Sequence, residues 1–259
     1  LSNGDMWLLT ANDGAVRAVT DPQNGFSVST QWYSKRSGLL STNKVSDVYL
    51  DKSNDEWILT DNGLGLIRKG NVKPTMFLVG KSVAQKQHFY AVLEIGNNIV
   101  FTSNGGKLWI YNMQSGHFSL QQLPTASDIT IIKLIQNDEM VLGTKDDGFF
   151  IFSLHNRSVS HYNMFTDAAL PSNKISHIYV DSHKEIWLDL GNANGVTHFN
   201  PFNHRVKQEL VPVELNYSSH LYNPYFHAHE DVNGYLWIQP KGGGFSYYDR
   251  KADKLVPFY

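Results

Sequence analysis

The chain has 259 residues, of which 41% are hydrophobic and 13% aromatic, so it can bury a sizeable core within one large all-β domain. Its 22 Lys and Arg residues are balanced by 24 Asp and Glu residues, which excludes the basic surface of a general nucleic-acid binder. The sequence contains no cysteine and no apolar run of about 18 residues, which excludes disulfides, cysteine-ligated metals and a membrane-spanning helix.

Short predicted strands separated by polar turns follow one another along the chain. In each copy of this pattern a hydrophobic strand leads into a Gly, Asn or Asp turn, and a further strand follows. The strand-and-turn pairs lie at 5–10 and 12–14, 56–60 and 61–63, 99–102 and 103–105, 141–144 and 146–148, 187–190 and 192–195, and 237–240 and 242–244. The six copies are spaced by about 46 residues on average.

This pattern predicts an all-β protein made of four-stranded antiparallel sheets. Asn-Gly and Asp-Gly dipeptides supply the positive φ angles that tight hairpins need, and no window shows a helical period over more than about two turns. Four strands in about 40–50 residues are typical of a β-propeller blade. We therefore predict one propeller domain over 1–259 with about six visible blades and 23 strands. The predicted repeat units are 1–38, 39–82, 83–124, 125–168, 169–216 and 217–259.

One nine-residue segment occurs twice, 130 residues apart. Residues 43–51 read NKVSDVYLD and residues 173–181 read NKISHIYVD. A tryptophan stands six positions after each final aspartate, and Asp231 and Trp237 have the same spacing. Because propeller blades pack face to face, bulky side chains at this position fill the gap between neighbouring sheets. We expect this core role for Trp7, Trp57, Trp187 and Trp237.

The full unit resembles the regulator-propeller repeat of two-component regulators. It reads N-x-V/I-x-x-I-x-x-D, five residues, then W-I-x-T-x-x-G-L, and is clearest at 39–66, followed by 167–200 and 225–250. The remaining copies are recognisable by register, so the resemblance covers nearly the whole chain. Such repeats are best known from the periplasmic sensor region of Bacteroides-type hybrid two-component systems. There, two seven-bladed propellers precede a small β-sandwich, a membrane helix and a histidine kinase.

The resemblance implies a non-enzymatic, cofactor-free, periplasmic sensor segment that detects glycan-derived oligosaccharides and regulates polysaccharide utilisation. It also implies that the chain is part of a seven-bladed ring or a larger array. The implied partners are the oligosaccharide, a second propeller and the C-terminal sandwich of the same receptor, and a second receptor copy in a homodimer. No nucleic acid and no membrane segment are implied for this chain.

In a propeller, ligands usually meet the face formed by the connections between blades and the turns between second and third strands. Innermost strands begin at the channel mouth of that face, and amide, ammonium, imidazole and phenol groups there suit sugar hydroxyls or uronate carboxylates. The expected ligand-binding residues are Asn43, Lys44, His88, Asp128, Asn173, Lys174, Tyr222 and Tyr225. Alternatively, Asn43 and Asn173 are turn residues that bond their own backbone, and the long connection 211–225 is either functional or disordered.

Motifs that would indicate enzyme or metal chemistry have plainer explanations. His227 and His229 lie on one face of a predicted strand at a spacing that could chelate zinc, but position 227 is an ordinary variable position of the repeat. The paired acids at 138–139 and 146–147 fall in hairpin turns, and no helix follows the glycines at 242–244. We therefore predict no catalytic residue, metal or cofactor.

Two other functions compete with ligand sensing. The propeller could instead dock a second propeller or a dimer partner without binding a small molecule. It could also be a glycan lyase or hydrolase that uses the histidine and lysine side chains at the channel mouth.

Overall fold

The computed structural model describes residues 6–20, 28–167, 170–191, 195–210, 226–239 and 244–258. Within these residues, 23 β-strands form six antiparallel sheets, and one short 3-10 helix spans Val83–Gln85. The predicted all-β architecture and the predicted number of strands are therefore confirmed. No helix in the described part of the chain is long and apolar enough to cross a membrane.

The chain folds as two compact units, of which unit 1 is Leu1–Gln122. Sheet 1 contains β1 to β3, at Met6–Leu9, Ala15–Thr20 and Val28–Tyr33. Sheet 2 contains β4 to β7, at Val45–Leu50, Glu56–Thr60, Gly63–Ile67 and Thr75–Phe77. Sheet 3 contains β8 to β11, at Phe89–Ile95, Asn98–Ser103, Lys107–Asn112 and His117–Gln122.

Unit 2 is Leu123–Tyr259 and contains three four-stranded sheets. Sheet 4 contains β12 to β15, at Ile129–Gln136, Glu139–Thr144, Phe149–Ser153 and Val159–Tyr162. Sheet 5 contains β16 to β19, at His177–Val180, Ile186–Asp189, Gly195–Asn200 and Arg205–Leu210. Sheet 6 contains β20 to β23, at His227–Glu230, Leu236–Gln239, Ser246–Asp249 and Lys254–Pro257.

In every sheet the strands are hydrogen-bonded in chain order, as expected for strands joined by short hairpin turns. The first strands of sheets 2, 3 and 4 share an irregularity near their start. Their registers shift between Val45 and Asp47, between Phe89 and Ala91, and between Ile129 and Ile131. Such bulges bend a strand and redirect a side chain, and here they lie next to the connections that enter these sheets.

The core of unit 1 includes a cluster of aromatic side chains between sheets 2 and 3. Trp57 is fully buried, and its ring centroid lies 4.9 Å from those of Phe101 and Tyr111 in the next sheet. Full burial of one large apolar side chain stabilises a fold by about 1.5–3 kcal/mol, and tilted aromatic pairs add about 0.5–1.5 kcal/mol. Trp57 therefore helps to hold two adjacent sheets together.

Trp187 has the same role in unit 2. It is fully buried, stacks on His198 at 4.1 Å and meets the ring of Tyr248 in sheet 6 edge-on at 4.6 Å. The other two tryptophans of the series are only half-buried. Trp7 packs at 4.8 Å from Tyr33 in its own sheet and on a cluster that includes side chains of sheet 2. Trp237 packs on aromatic rings of its own sheet.

The repeated spacing between Asp and Trp corresponds to a turn that occurs in three sheets. Asp51 Oδ1 accepts the backbone N–H groups of Ser53 and Asp55 at 2.8 and 3.0 Å, and Oδ2 accepts Trp57 Nε1–H at 3.0 Å. The equivalent groups are Asp181 with His183, Glu185 and Trp187, and Asp231 with Asn233, Tyr235 and Trp237. The third residue after each aspartate has a positive φ: Asn54 at 61°, Lys184 at 68° and Gly234 at 80°.

Candidate ligand-binding site

A cavity of about 460 Å³ lies in unit 1, where the turn between β1 and β2 meets the connection from β3 to β4. We call it the Trp32 cavity. Its lining combines one aromatic side chain with charged, hydroxyl and amide groups: Asp13, Trp32, Ser34, Arg36, Ser37 and Asn43. An aromatic surface together with polar groups can bind a small molecule and fix its orientation.

The connection that forms one wall of the cavity is held by its own hydrogen bonds. Ser34 N–H donates to Ser37 Oγ at 3.0 Å, and Ser37 N–H donates to Ser34 Oγ at 3.1 Å. Lys35 N–H donates to Asn43 Oδ1 at 2.8 Å, which joins the two ends of the connection. Leu40 is buried beneath it and donates its N–H to Ser34 O at 3.1 Å. This wall of the cavity is therefore held by hydrogen bonds within the connection itself.

The opposite wall depends on a glycine. Gly14 has a φ of 98°, and a Cβ atom there would lie 2.1 Å from the carbonyl oxygen of Tyr33, so a larger residue would push the turn away. Thr10 Oγ1 donates to Gly14 O at 2.8 Å and accepts Asp13 N–H at 3.0 Å. These contacts place Asp13 beside Ser34.

Alternation along β3 sends Tyr33 and Trp32 to opposite faces of sheet 1. Tyr33 is fully buried, and its hydroxyl donates to Val72 O at 3.0 Å. Burial raises the pKa of Tyr33 above its usual value, so the phenol remains neutral. Trp32 is 47% exposed, which leaves an indole surface available to a ligand at the cavity.

Two charged groups of the Trp32 cavity have no partner among the residues that the structure describes. Neither the Asp13 carboxylate nor the Arg36 guanidinium makes a hydrogen bond or ion pair there. Both side chains are on exposed residues, so solvation supports the charges when no ligand is bound. The cavity thus offers one free acceptor group and one free cationic donor group.

The position in unit 2 that corresponds to the Trp32 cavity lies at sheet 4, but there the polar side chains pair with one another. Gly148 again has a positive φ, 70°, and an added Cβ atom would lie 2.0 Å from Tyr162 O. His161 stands where unit 1 has Trp32, and its Nε2 lies 3.3 Å from the Asp147 carboxylate. Asn163 Nδ2 donates to the same carboxylate at 3.0 Å. Within the described residues, the acid at this position is therefore unpaired in unit 1 and paired in unit 2.

Three of the residues expected at the channel mouth, Asn43, Lys44 and His88, lie in unit 1. Of these, Asn43 lines the Trp32 cavity. Lys44 is exposed, and its carbonyl accepts Asp61 N–H at 3.2 Å. His88 does not line the cavity: its Nε2 lies 3.2 Å from Ser46 Oγ, and its ring stacks on Tyr90 at 4.1 Å. The structure therefore separates His88 from the cavity that contains Asn43.

The residues expected in unit 2 lie at the connections that enter sheets 4 and 5. Asp128 is half-buried, and its carbonyl accepts Lys145 N–H at 3.0 Å. Asn173 Oδ1 accepts Met164 N–H at 2.8 Å, just as Asn43 accepts Lys35 N–H. Lys174 is exposed. Tyr222 and Tyr225 fall outside the described residues.

Trp32, Arg36 and the two serines were not among the residues expected from the sequence. A signal for Trp32 was present, because one of two adjacent aromatic residues in an outermost strand must face away from the core. Its association with Asp13 depends on the close approach of Gly14 to Tyr33, which no local pattern predicts.

A second polar cavity of about 200 Å³ lies in unit 2 between sheets 5 and 6. Side-chain atoms of His198, Glu209 and Asp253 lie within 4.8 Å of one another, a geometry that could hold a metal ion. However, Lys207 Nζ lies 2.6 Å from Glu209 Oε1 and 3.4 Å from Asp253 Oδ1. The Lys207 ammonium group therefore already pairs with both acids. His227 and His229 are both exposed, and they line a separate apolar cavity beside Trp237.

Comparison with protein-family models and with curated proteins finds no match. Solved structures do match. The extracellular domain of a protein described as a one-component system from B. thetaiotaomicron aligns with 100% of this chain and 40% of its own length, at 19% identity and a TM-score of 0.59. The extracellular domain of a protein from the same organism described as a hybrid two-component system aligns over 99% and 34%, at 16% identity and a TM-score of 0.64.

Virginiamycin B lyase from Staphylococcus aureus also matches, over 100% of this chain and 81% of its own length, at 14% identity and a TM-score of 0.66. These similarities show the fold, which is a β-propeller. The chain spans less than half the length of the two B. thetaiotaomicron domains.

Proposed function

We propose that this chain is the ligand-sensing propeller of a periplasmic receptor of the hybrid two-component type, and that it binds glycan-derived oligosaccharides. The single observation that carries the proposal is the Trp32 cavity, with its exposed indole and with a carboxylate and a guanidinium that have no partner among the described residues. The second propeller, the C-terminal sandwich and the second receptor copy belong to the same proposal as partners in the full receptor.

The lining of the cavity matches the chemistry of sugars. A sugar ring has an apolar face of C–H groups, which packs on an aromatic ring, and a rim of hydroxyls, which need hydrogen-bond partners. Trp32 supplies the aromatic surface, and Asp13 supplies a carboxylate that accepts strong, charge-assisted bonds from hydroxyls. Because the connection 34–43 is already held by hydrogen bonds between its backbone N–H groups and its own side chains, little conformational entropy would be lost on binding.

The similar solved structures are consistent with a sensor. Two of them are extracellular domains of proteins described as a one-component system and as a hybrid two-component system. Their likeness to this chain establishes the fold, whereas the sensing role proposed here depends on the cavity.

A calorimetric titration of the purified chain with a panel of glycan oligosaccharides tests the proposal. We expect binding of at least one oligosaccharide, and a loss of at least tenfold in affinity for Trp32→Ala. His161→Ala is the matched control, because it changes the equivalent position of unit 2 and should leave affinity unchanged. No binding across the panel, also with a complete ectodomain, would refute the proposal, as would full affinity in Trp32→Ala.

A docking function is the second candidate, and one surface favours it. The aromatic face of sheet 6 exposes Phe245 by 44% and Phe258 by 57%, beside the half-buried Trp237. The corresponding faces of sheets 2 and 5, around Trp57 and Trp187, are covered by the next sheet. A partner with an apolar β-sheet face, such as a second propeller, would fit this surface.

Sedimentation velocity at increasing protein concentration tests the docking candidate. Self-association that Phe258→Glu abolishes would support a dimer through this face. A chain that remains monomeric and binds oligosaccharide would leave sensing as the function.

A further inference from the structure

We infer that the ligand of the Trp32 cavity is an acidic oligosaccharide, and that Arg36 binds the carboxylate of a uronic acid residue. This inference rests on the proposed function, because it names the class of oligosaccharide that the same site selects. Guanidinium and carboxylate groups match in bidentate geometry, and such pairs are among the stronger polar contacts in proteins.

The guanidinium of Arg36 differs from those of arginines that hold the sheets together. Arg17 lies 3.3 Å from Glu56, Arg68 lies 2.6 Å from Asp55, and Arg250 lies 2.9 Å from Glu230. Those three cations are neutralised within the protein. Arg36 has no such partner in the described part of the chain, so it can accept an anion without breaking an existing ion pair.

Arg36 is not required by the fold of its connection. In the equivalent connection of unit 2, Phe165 takes its place and is 88% exposed. The backbone there is held in the same way, because Met164 N–H donates to Asn173 Oδ1 at 2.8 Å. A connection of this type therefore forms with an apolar residue at this position, and a structural role does not explain the arginine.

The charged groups around the cavity are compatible with one bound anion. Asp13 is its single acidic lining residue, and it makes no ion pair with Arg36 within 4.0 Å. The nearby Asp61 is engaged by Thr42 Oγ1 at 2.6 Å and by Lys86 Nζ at 3.9 Å. Because Arg36 and Asp13 are not paired with each other, a ligand can place its carboxylate on Arg36 and its hydroxyls on Asp13.

Lys35 and Lys44 strengthen the attraction. Both are exposed, and each is adjacent in sequence to a lining residue, Arg36 or Asn43. They add positive charge to the rim, which would raise the rate of association with an anionic ligand and make the affinity fall with salt.

The test compares uronic acid oligosaccharides with their carboxyl-reduced forms, in which only the charged group is lost. Calorimetry on the intact chain should give at least tenfold weaker binding for the reduced form. Arg36→Gln should remove that difference, Arg36→Lys should keep part of it, and Arg157→Gln, on an exposed turn, should keep all of it.

Equal affinity for acidic and reduced forms would overturn this inference while leaving the proposed function intact. A preference for the acidic form that persists in Arg36→Gln would also overturn it. Failure of both forms and of every neutral oligosaccharide to bind would instead refute the proposed function.

Discussion

Trp57 Nε1–H donates a hydrogen bond to Asp51 Oδ2 at 3.0 Å, and both residues are buried. The same carboxylate accepts two backbone N–H groups of the turn that precedes Trp57. One aspartate thus fixes both the hairpin turn and the orientation of the indole between two sheets. This relationship explains why the six-residue spacing recurs at Asp181 and Trp187 and at Asp231 and Trp237.

Asp51→Ala should destabilise the protein by about 1–3 kcal/mol, because it leaves a buried indole N–H without an acceptor. Asp231→Ala is the matched control and should cost less, since Trp237 is only half-buried. Urea unfolding followed by circular dichroism measures both values. Equal losses for the two variants would show that burial of the indole does not set the effect.

Gly148→Ala should destabilise the protein by more than Gly96→Ala. Both glycines have positive φ, 70° and 57°, so both alanines carry the cost of a left-handed backbone, about 1–2 kcal/mol. Only at Gly148 would the new Cβ also meet a carbonyl oxygen at 2.0 Å, whereas nothing lies within 4 Å at Gly96. Thermal melting of the two variants compares them, and equal melting temperatures would contradict the steric explanation.

Trp187→Ala should destabilise the protein by about 3–5 kcal/mol, the usual cost of removing a large buried aromatic side chain. Trp32→Ala should change stability by no more than about 0.5 kcal/mol, as is usual for surface substitutions, because Trp32 is 47% exposed. Chemical unfolding measures both. A large loss of stability for Trp32→Ala would mean that this indole supports the fold rather than a ligand.

Alkaline pH should weaken the protein partly through Tyr49. Burial and the neighbouring Glu94 carboxylate raise the pKa of Tyr49 to about 12, and its hydroxyl donates to Glu94 Oε2 at 3.1 Å. Because the folded-state pKa lies above the unfolded value of about 10, this contribution is complete below pH 10 and is lost as the pH rises toward 12.

Comparing the unfolding free energies of the wild type and Tyr49→Phe between pH 9 and pH 12 isolates this contribution. The advantage of the wild type should shrink as the pH rises through this range. An advantage that stays constant would show that Tyr49 ionises equally in both states.

Much of the fold followed from short-range patterns. The positions of Gly14, Gly63 and Gly148 marked the turns, and all three have positive φ. The spacing of Asp51 and Trp57 indicated the core position, although it did not reveal that the two side chains are hydrogen-bonded. Such local features repeat because each sheet needs the same tight turns between its strands and a large side chain at the same core position.

The candidate site was less predictable, because it depends on how one connection folds back on itself. The sequence placed Asn43 near a ligand, but Lys35 N–H already occupies its Oδ1. Asp13 and Trp32 are brought to one cavity by the pairing of β2 with β3 and by the close contact at Gly14. Whether an acid remains free, as at Asp13, or is paired, as at Asp147, depends on a neighbour in another strand.

Hydrogen exchange with mass spectrometry, with and without a saturating oligosaccharide, tests most directly whether the Trp32 cavity is the binding site. We expect slower exchange at residues 11–14 and 32–44, and unchanged exchange at the equivalent residues 145–148 and 161–174. Protection confined to other segments, or no protection at saturation, would contradict it.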